Sequence, residues 1–273
     1  MKILKKVKNI PKRISRKIES YIYRKGLYKG KINILSPKET EQFLVSFDGS
    51  FCRFGDGEIA IMQGEDIAFQ KYDSMLAERL KGILSTKENG LAIGVNYVYL
   101  NPVNDVNNYT QSFLDSMAMQ RRFMLNNCSR DFQYFDAGIT QLYQNYCGYD
   151  FRRHFAMMQS MFEGKEIAVV CGENVLKQIK YNAFDVCKSV EYLFMPGKNA
   201  FEKYDLRLEK VLKINSKKII CVILGPTAKV LVYDLYKRGR KAWDMGHYLK
   251  DYDSYMRKQV ITDESIQNFF KPD

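Results

Sequence analysis

The chain has no Cys-x-x-Cys pair and no cysteine–histidine spacing that would hold a structural zinc. Its six cysteines (Cys52, Cys128, Cys147, Cys171, Cys187 and Cys221) are scattered. Cys171 and Cys221 fall inside apolar, strand-like runs, where a thiol serves as a small core hydrophobe. Disulfides are therefore not expected, and a reducing, cytoplasmic setting is. No apolar run is long enough to span a bilayer, and nothing has the shape of a secretory signal. Neither a G-x-G-x-x-G fingerprint nor a Walker pattern occurs. Histidine is limited to His154 and His247. Together these absences exclude disulfide scaffolds, zinc modules, membrane-spanning proteins and P-loop enzymes.

What remains is a globular chain of 273 residues with ample apolar and aromatic content for a large core. We read residues 1–31 as a basic arm and 32–273 as a single domain. The arm holds twelve Lys and Arg against one acid, Glu19, a net of +11 within a chain total of +12. Ile3, Val7, Ile10, Ile14, Ile18 and Ile22 recur at helical spacing, with Pro11 predicting a kink or a new helix start. A basic face opposite an isoleucine stripe suits an anionic membrane surface. It equally suits a helix packed on the body with its charges in solvent. Without a recognition motif, the charge supports only sequence-independent nucleic-acid contact.

One stretch organises the rest. Phe51-Cys52-Arg53-Phe54 reads as a strand and runs into Gly55-Asp56-Gly57-Glu58. The two glycines allow φ > 0 and predict a sharp turn. Asp56 and Glu58 then stand two residues apart and could converge on one divalent cation. The competing reading is a hairpin turn in which Asp-Gly supplies only the geometry.

Around this stretch, Ser36-Pro37-Lys38-Glu39 opens a helix, and the spacing of Met75, Leu76, Leu80, Ile83 and Leu84 predicts another. Residues 59–62 fit a helix or a strand equally. Residues 91–95 read as a strand, 96–108 as an Asn-rich surface loop, and 109–165 as mostly helical, with His154 on the surface. In the C-terminal half, strands at 166–172, 190–195, 218–224 and 241–244 alternate with helices. That alternation predicts an α/β fold, a Rossmann-like and mostly parallel sheet flanked by helices. Gly172, Gly197, Gly225 and Gly246 fall at the carboxyl ends of these strands, where such sheets bind ligands. The helix opened by Gly225-Pro226-Thr227 offers free amides to a phosphate. His247 lies at the same edge as a metal ligand, phosphate contact, acid/base group or strand cap. Asp251 and Asp253 follow as bases or as a solvated acidic loop.

The ordered set Arg53-Phe54-Gly55-Asp56-Gly57-Glu58, Pro196-x-x-Asn199-Ala200-Phe201, Gly225-Pro226-Thr227-Ala228-Lys229 and Asp244-x-Gly246-His247 resembles the GT-D fold glycosyltransferases, over roughly residues 50–255. The resemblance implies a nucleotide-sugar donor such as UDP-glucose and a divalent cation, manganese or else magnesium, at an Asp-x-Glu motif, here Asp56 and Glu58. It implies donor contacts from Arg53, Gly55, Gly172, Asn199, Gly225, Pro226, Thr227 and His247. Asp251 and Asp253 match acidic positions of the family and become the candidate catalytic bases. The implied activity is hexosyl transfer to a glycan, glycoprotein or lipid-linked acceptor; cysteine usage and the basic arm place it in the cytoplasm, free or at the inner face of the cell membrane. Three places depart from the family pattern: Leu249, the stretch from Glu173 to Lys177, and Gln141. They keep open an alternative, a non-catalytic nucleotide-sugar-binding or scaffolding protein of a polysaccharide-assembly complex.

Overall fold

Short apolar runs rich in Val, Ile and Phe supply the centre of the molecule. In a computed structural model that describes residues 12–271, they form one eight-stranded sheet. The strands are β1 (Asn33–Ile34), β2 (Ser50–Phe54), β3 (Leu91–Val95), β4 (Gln133–Asp136), β5 (Glu166–Gly172), β6 (Ser189–Met195), β7 (Ile219–Ile223) and β8 (Ala242–Asp244). Their spatial order is β1-β4-β3-β2-β8-β7-β5-β6, and every pairing is parallel. A parallel sheet needs both faces covered, which explains why β7 is continuously apolar rather than alternating. Ile220 and Val222 enter the core on one face, Ile219 and Cys221 the core on the other. Helices Asp56–Met62, Ser74–Ser85 and Thr227–Tyr236 cover the first face. Pro37–Ser46, Phe151–Ser160 and Tyr248–Met256 cover the second. From β2 the chain winds outward through β3 and β4, whereas β5 to β8 fill the other half. β2 and β8 therefore lie side by side at a switch point, with all carboxyl ends on one edge.

Two expectations hold. The predicted start at Ser36 is a full capping box: Glu39 N donates to Ser36 Oγ, and Ser36 N donates to the Glu39 carboxylate at 2.9 Å. Cys171 and Cys221 are buried in the sheet, as core thiols should be. Among the described residues no helix is long and apolar enough to cross a membrane.

Others need correction. Gly55 and Gly57 form no φ > 0 turn and no hairpin. Gly55 is the extended N-cap, φ −108°, of helix Asp56–Met62, so residues 59–62 are helical. Residues 96–108 are not a surface loop: Tyr99 and Leu100 are buried, in and just after a 3-10 helix at Tyr97–Tyr99. The segment 109–165 contains β4 as well as helices. His154 is fully buried, its Nδ1 2.7 Å from the Glu41 carboxylate.

The arm yields a further surprise. Helix Lys12–Arg24 packs on helix Asn108–Ser116, where Ser20 and Arg24 both bond Asp115, and it buries Glu19 and Tyr23. The Tyr23 hydroxyl donates to Val98 O at 2.7 Å, and its ring lies 3.9 Å from the Arg121 guanidinium. Ile18 remains 45% exposed. Ile3, Val7, Ile10 and Pro11 lie outside the described residues.

Candidate active site

A cavity of about 450 Å³ opens along the carboxyl edge of the sheet. Its charged floor is assembled from four elements. Arg53, at the end of β2, donates from Nε to Asp244 O at 3.0 Å and from Nη1 to Ala137 O at 2.7 Å; its Nη2 lies 3.3 Å from Asp244 Oδ1. The guanidinium fits there because position 246 has no side chain. A Cβ on Gly246 would sit 1.6 Å from Arg53 Nη2, and the backbone there has φ +44°. Lys229, in the first turn of helix Thr227–Tyr236, places Nζ 3.0 Å from Asp244 Oδ2 and 2.7 Å from Glu58 Oε1. It also donates to Gly225 O at 3.2 Å. The other Glu58 oxygen accepts from Gly55 N at 2.8 Å.

The result is a buried row of alternating charge: Arg53, Asp244, Lys229, Glu58. Burial pushes the Asp244 carboxyl up, but Arg53 and Lys229 outweigh it and hold the group below the usual carboxylate range. For Lys229 burial works downward, and Asp244 and Glu58 outweigh it to raise the amine. Both groups thus stay ionised, as a buried pair must. Asp56 stands outside the row. Its side chain faces the cavity, with Oδ1 3.5 Å from the Tyr99 hydroxyl. Crowding by protein atoms and the nearby Glu58 charge raise its pKa. His247 lines the same wall against the rings of Phe269 and Phe270, each 5.2 Å away. Burial, Lys250 and Arg53 lower its pKa to about 3, so it is neutral.

Of the residues singled out from sequence, Arg53, Gly55, Asp56, Glu58, Gly172, Gly225, Pro226 and His247 line this one cavity. Four others do not. Asn199 adopts φ +49° and accepts from Lys71 N at 2.9 Å, fastening the 66–73 loop instead. Thr227 is buried at the helix start and does not line the cavity. Asp251 is fully buried and accepts from Tyr143 N and Gln144 N at 3.1 and 3.2 Å. Asp253 accepts from Lys180 N and Tyr181 N and pairs with Arg257. Their carboxylates secure neighbouring segments, so neither is placed to act as the base. Glu173–Lys177 forms a short helix that gives Val175 to the wall, and Leu249 and Gln141 also line it.

Sequence reasoning left Lys229 and Asp244 without roles. Lys229 did carry a signal, since it interrupts an otherwise apolar helix face. The opposite wing, with Val98, Tyr109 and Phe113, was hidden in the segment taken for a loop and a core helix.

The glycine-edged cleft at the switch point of a parallel sheet defines a Rossmann-like α/β protein of the ligand-binding kind. Residues 51–267 match the family model described as "Glycosyltransferase GT-D fold", and the chain belongs to that family. It is 27% identical over 231 residues to "Probable glycosyl transferase Gly" of Streptococcus gordonii, covering 82% of this chain and 33% of that protein. It is 25% identical over 237 residues to "Glycosyltransferase GlyD" of Streptococcus pneumoniae serotype 4, covering 84% of this chain and 29% of that protein. The chain thus spans about a third of the length of these curated relatives. A solved structure described as a domain of unknown function with "a distinct glycosyltransferase fold" superposes with a TM-score of 0.81. It is 27% identical, and the match covers 94% of this chain and 95% of that one.

Proposed function

We propose that the chain is a metal-dependent glycosyltransferase that moves a hexose from a nucleotide sugar, UDP-glucose or a close relative, to a glycan, glycoprotein or lipid-linked acceptor. The observation that carries the reading is the balance of the cavity floor. Arg53, Asp244, Lys229 and Glu58 neutralise one another, leaving Asp56 as the surplus carboxylate in the cavity that Gly225 and Pro226 also line. A diphosphate can lie against the helix start that follows Pro226, whose free amides favour an anion.

The fit of a cation can be tested on the donor set. Among the described residues no group of three or more His, Cys, Asp or Glu converges. Both Glu58 oxygens are already engaged, by Lys229 and by Gly55 N. The site therefore suits a hard cation that arrives with its substrate, held by one carboxylate and phosphate oxygens. Asp56 is that carboxylate, and Glu58 serves by fixing Lys229. When bound, the cation supplies charge neutralisation for the departing diphosphate. Lys229 and Arg53, paired with Glu58 and Asp244, keep the floor rigid beneath it. Neutral His247 offers a hydrogen bond rather than a charge.

A second reading, nucleotide-sugar binding without turnover, is favoured by the engaged Glu58 and by Leu249 in the wall. A panel of nucleotide sugars, assayed for binding and for hydrolysis with and without Mn²⁺ or Mg²⁺, separates the two. The enzyme reading expects slow, metal-dependent hydrolysis of one donor, lost by about a hundredfold or more in Asp56→Ala. Glu58→Ala should instead lose both stability and donor binding. Tight donor binding with no turnover against any acceptor extract would establish the second reading. Binding and hydrolysis indifferent to metal and to Asp56→Ala would remove Asp56 from the site.

A further inference from the structure

Helix Lys12–Arg24 turns one side to the body and leaves the other bare. Glu19 and Tyr23, one turn apart, are buried, while Tyr21 is 61% exposed. At 3.6 residues per turn, Lys17, Ile18 and Lys25 flank Tyr21 on the outward side. Lys25 Nζ lies 5.7 Å from the Tyr21 ring centre. Just past the helix, Leu27 is 59% exposed. Across residues 17–31 the exposed charges are Lys17, Arg24, Lys25, Lys29 and Lys31, whereas the one acid, Glu19, is buried. A face kept for solvent has no use for Ile18, Tyr21 and Leu27 in its middle, and a polyanion such as RNA would need only the cations. An anionic lipid surface uses both. Headgroups meet the lysines while the apolar side chains enter the headgroup boundary.

The same helix is fastened to the wall of the cavity. Ser20 Oγ donates to Asp115 Oδ1 at 2.8 Å, and Arg24 pairs with Asp115, on helix Asn108–Ser116. Tyr23 bonds the carbonyl of Val98. That helix and Val98 are what line the apolar wing of the cavity, through Tyr109, Phe113 and Val98 itself. A surface seated on the outward face of Lys12–Arg24 would lie one helix away from that wing.

We propose that residues 17–31 dock the protein on an anionic membrane surface, and that the apolar wing of the cavity takes an acceptor carried on a lipid of that membrane. The second half rests on the glycosyltransferase reading; the docking does not. The test uses the full chain with vesicles of phosphatidylcholine alone or mixed with phosphatidylglycerol. Co-sedimentation should be about tenfold stronger on the mixed vesicles and should weaken with added salt. Ile18→Asp with Tyr21→Asp should abolish it. Lys17→Gln, Lys25→Gln and Lys29→Gln together should remove only the preference for phosphatidylglycerol. These positions are exposed, and an unchanged thermal melt would confirm that the variants fold. Equal binding to both vesicle types, or binding untouched by the aspartates, would overturn the docking. So would single-stranded RNA displacing the vesicles with no effect of the aspartates on RNA affinity. In the same preparations, donor hydrolysis in solution should be the same for wild type and variants. Transfer to a vesicle-borne lipid saccharide should fall about tenfold in the aspartate variant, while transfer to a soluble saccharide should not. Equal loss with both acceptors would overturn the lipid-acceptor half. Absent donor hydrolysis in the wild type would count against the glycosyltransferase reading and leave the docking result standing.

Discussion

Lys229 is the residue whose environment constrains the site most tightly. Its side chain is 4% exposed, and the ammonium group lies between two carboxylates on different elements, Glu58 on the helix after β2 and Asp244 at the end of β8. Taking three such charges out of water is tolerable only because each has a partner within about hydrogen-bonding distance. Lys229→Met, similar in length but uncharged, would leave Glu58 facing Gly55 N and Asp244 facing Arg53 and the Gly246 amide, with no cation between the two carboxylates. Removing one partner from a buried ion network costs roughly 3–5 kcal/mol. We expect a lowered urea midpoint with an unchanged m-value, together with loss of donor binding, in urea titrations and donor-binding isotherms of the variant. A midpoint within error of the wild type would mean that water already shares the load. Asp56, which has no such network around it, should by contrast tolerate Asp56→Ala with little change in stability.

At the scale of elements, legibility in the sequence followed how local the deciding interactions are. β5 and β7 are continuous apolar runs, and the cap at Ser36 is written in four consecutive residues, so all three could be read directly. β1 has two residues and β4 four, among them Gln133 and Asp136, and no periodicity survives at that length. Their pairing is decided by neighbours a hundred residues away, as in Asn33 against Gln133. The Gly55-Asp56-Gly57-Glu58 stretch carried the right chemistry but the wrong geometry. Asp-Gly suggests a hairpin, whereas Glu58 reaching back to Gly55 N makes a helix start. Asp251 misled for the opposite reason: its partners, the amides of Tyr143 and Gln144, are remote in sequence. The Asn-rich stretch concealed a cap too, since Asn107 accepts from Thr110 N at 2.9 Å and starts helix Asn108–Ser116. That helix presents Tyr109 and Phe113, four residues apart and therefore on one face, to the cavity. If this wing holds the acceptor, Tyr109→Ala with Phe113→Ala should raise the acceptor KM by about tenfold or more while leaving donor hydrolysis intact. A fall in donor hydrolysis of the same size would assign the wing to the donor instead.

On the scale of the whole molecule, charge is divided by place: a basic N-terminal arm, and a body near neutrality in which Arg53, Lys229 and Lys250 line the cleft. Arg53 and Lys229 are matched by Asp244 and Glu58, so the floor adds little net field, yet both cations act on His247. That imidazole, packed against Phe269 and Phe270, is lowered from 6.5 to about 3 by burial first, then Lys250 and Arg53. The consequence for the fold has a definite sign. Above pH 6.5 His247 is neutral in folded and unfolded chains and contributes no pH dependence. Between pH 6.5 and about 3 the unfolded chain binds a proton that the folded one refuses, so stability rises with pH across that window. As pH falls through it, stability is lost progressively, by an amount on the order of a few kcal/mol. Asp244, held below its ordinary range, steepens the loss only at the acid end of the window. Comparing His247→Gln with the wild type isolates the histidine, because the carboxylates are common to both. Urea unfolding at a series of pH values from 7 downward should give curves for the two proteins that diverge below pH 6.5, the variant losing less stability. Parallel curves would show that His247 takes up its proton in the folded state. The cleft would then carry an additional positive charge in mildly acidic solution, and its affinity for a diphosphate would rise there rather than stay flat.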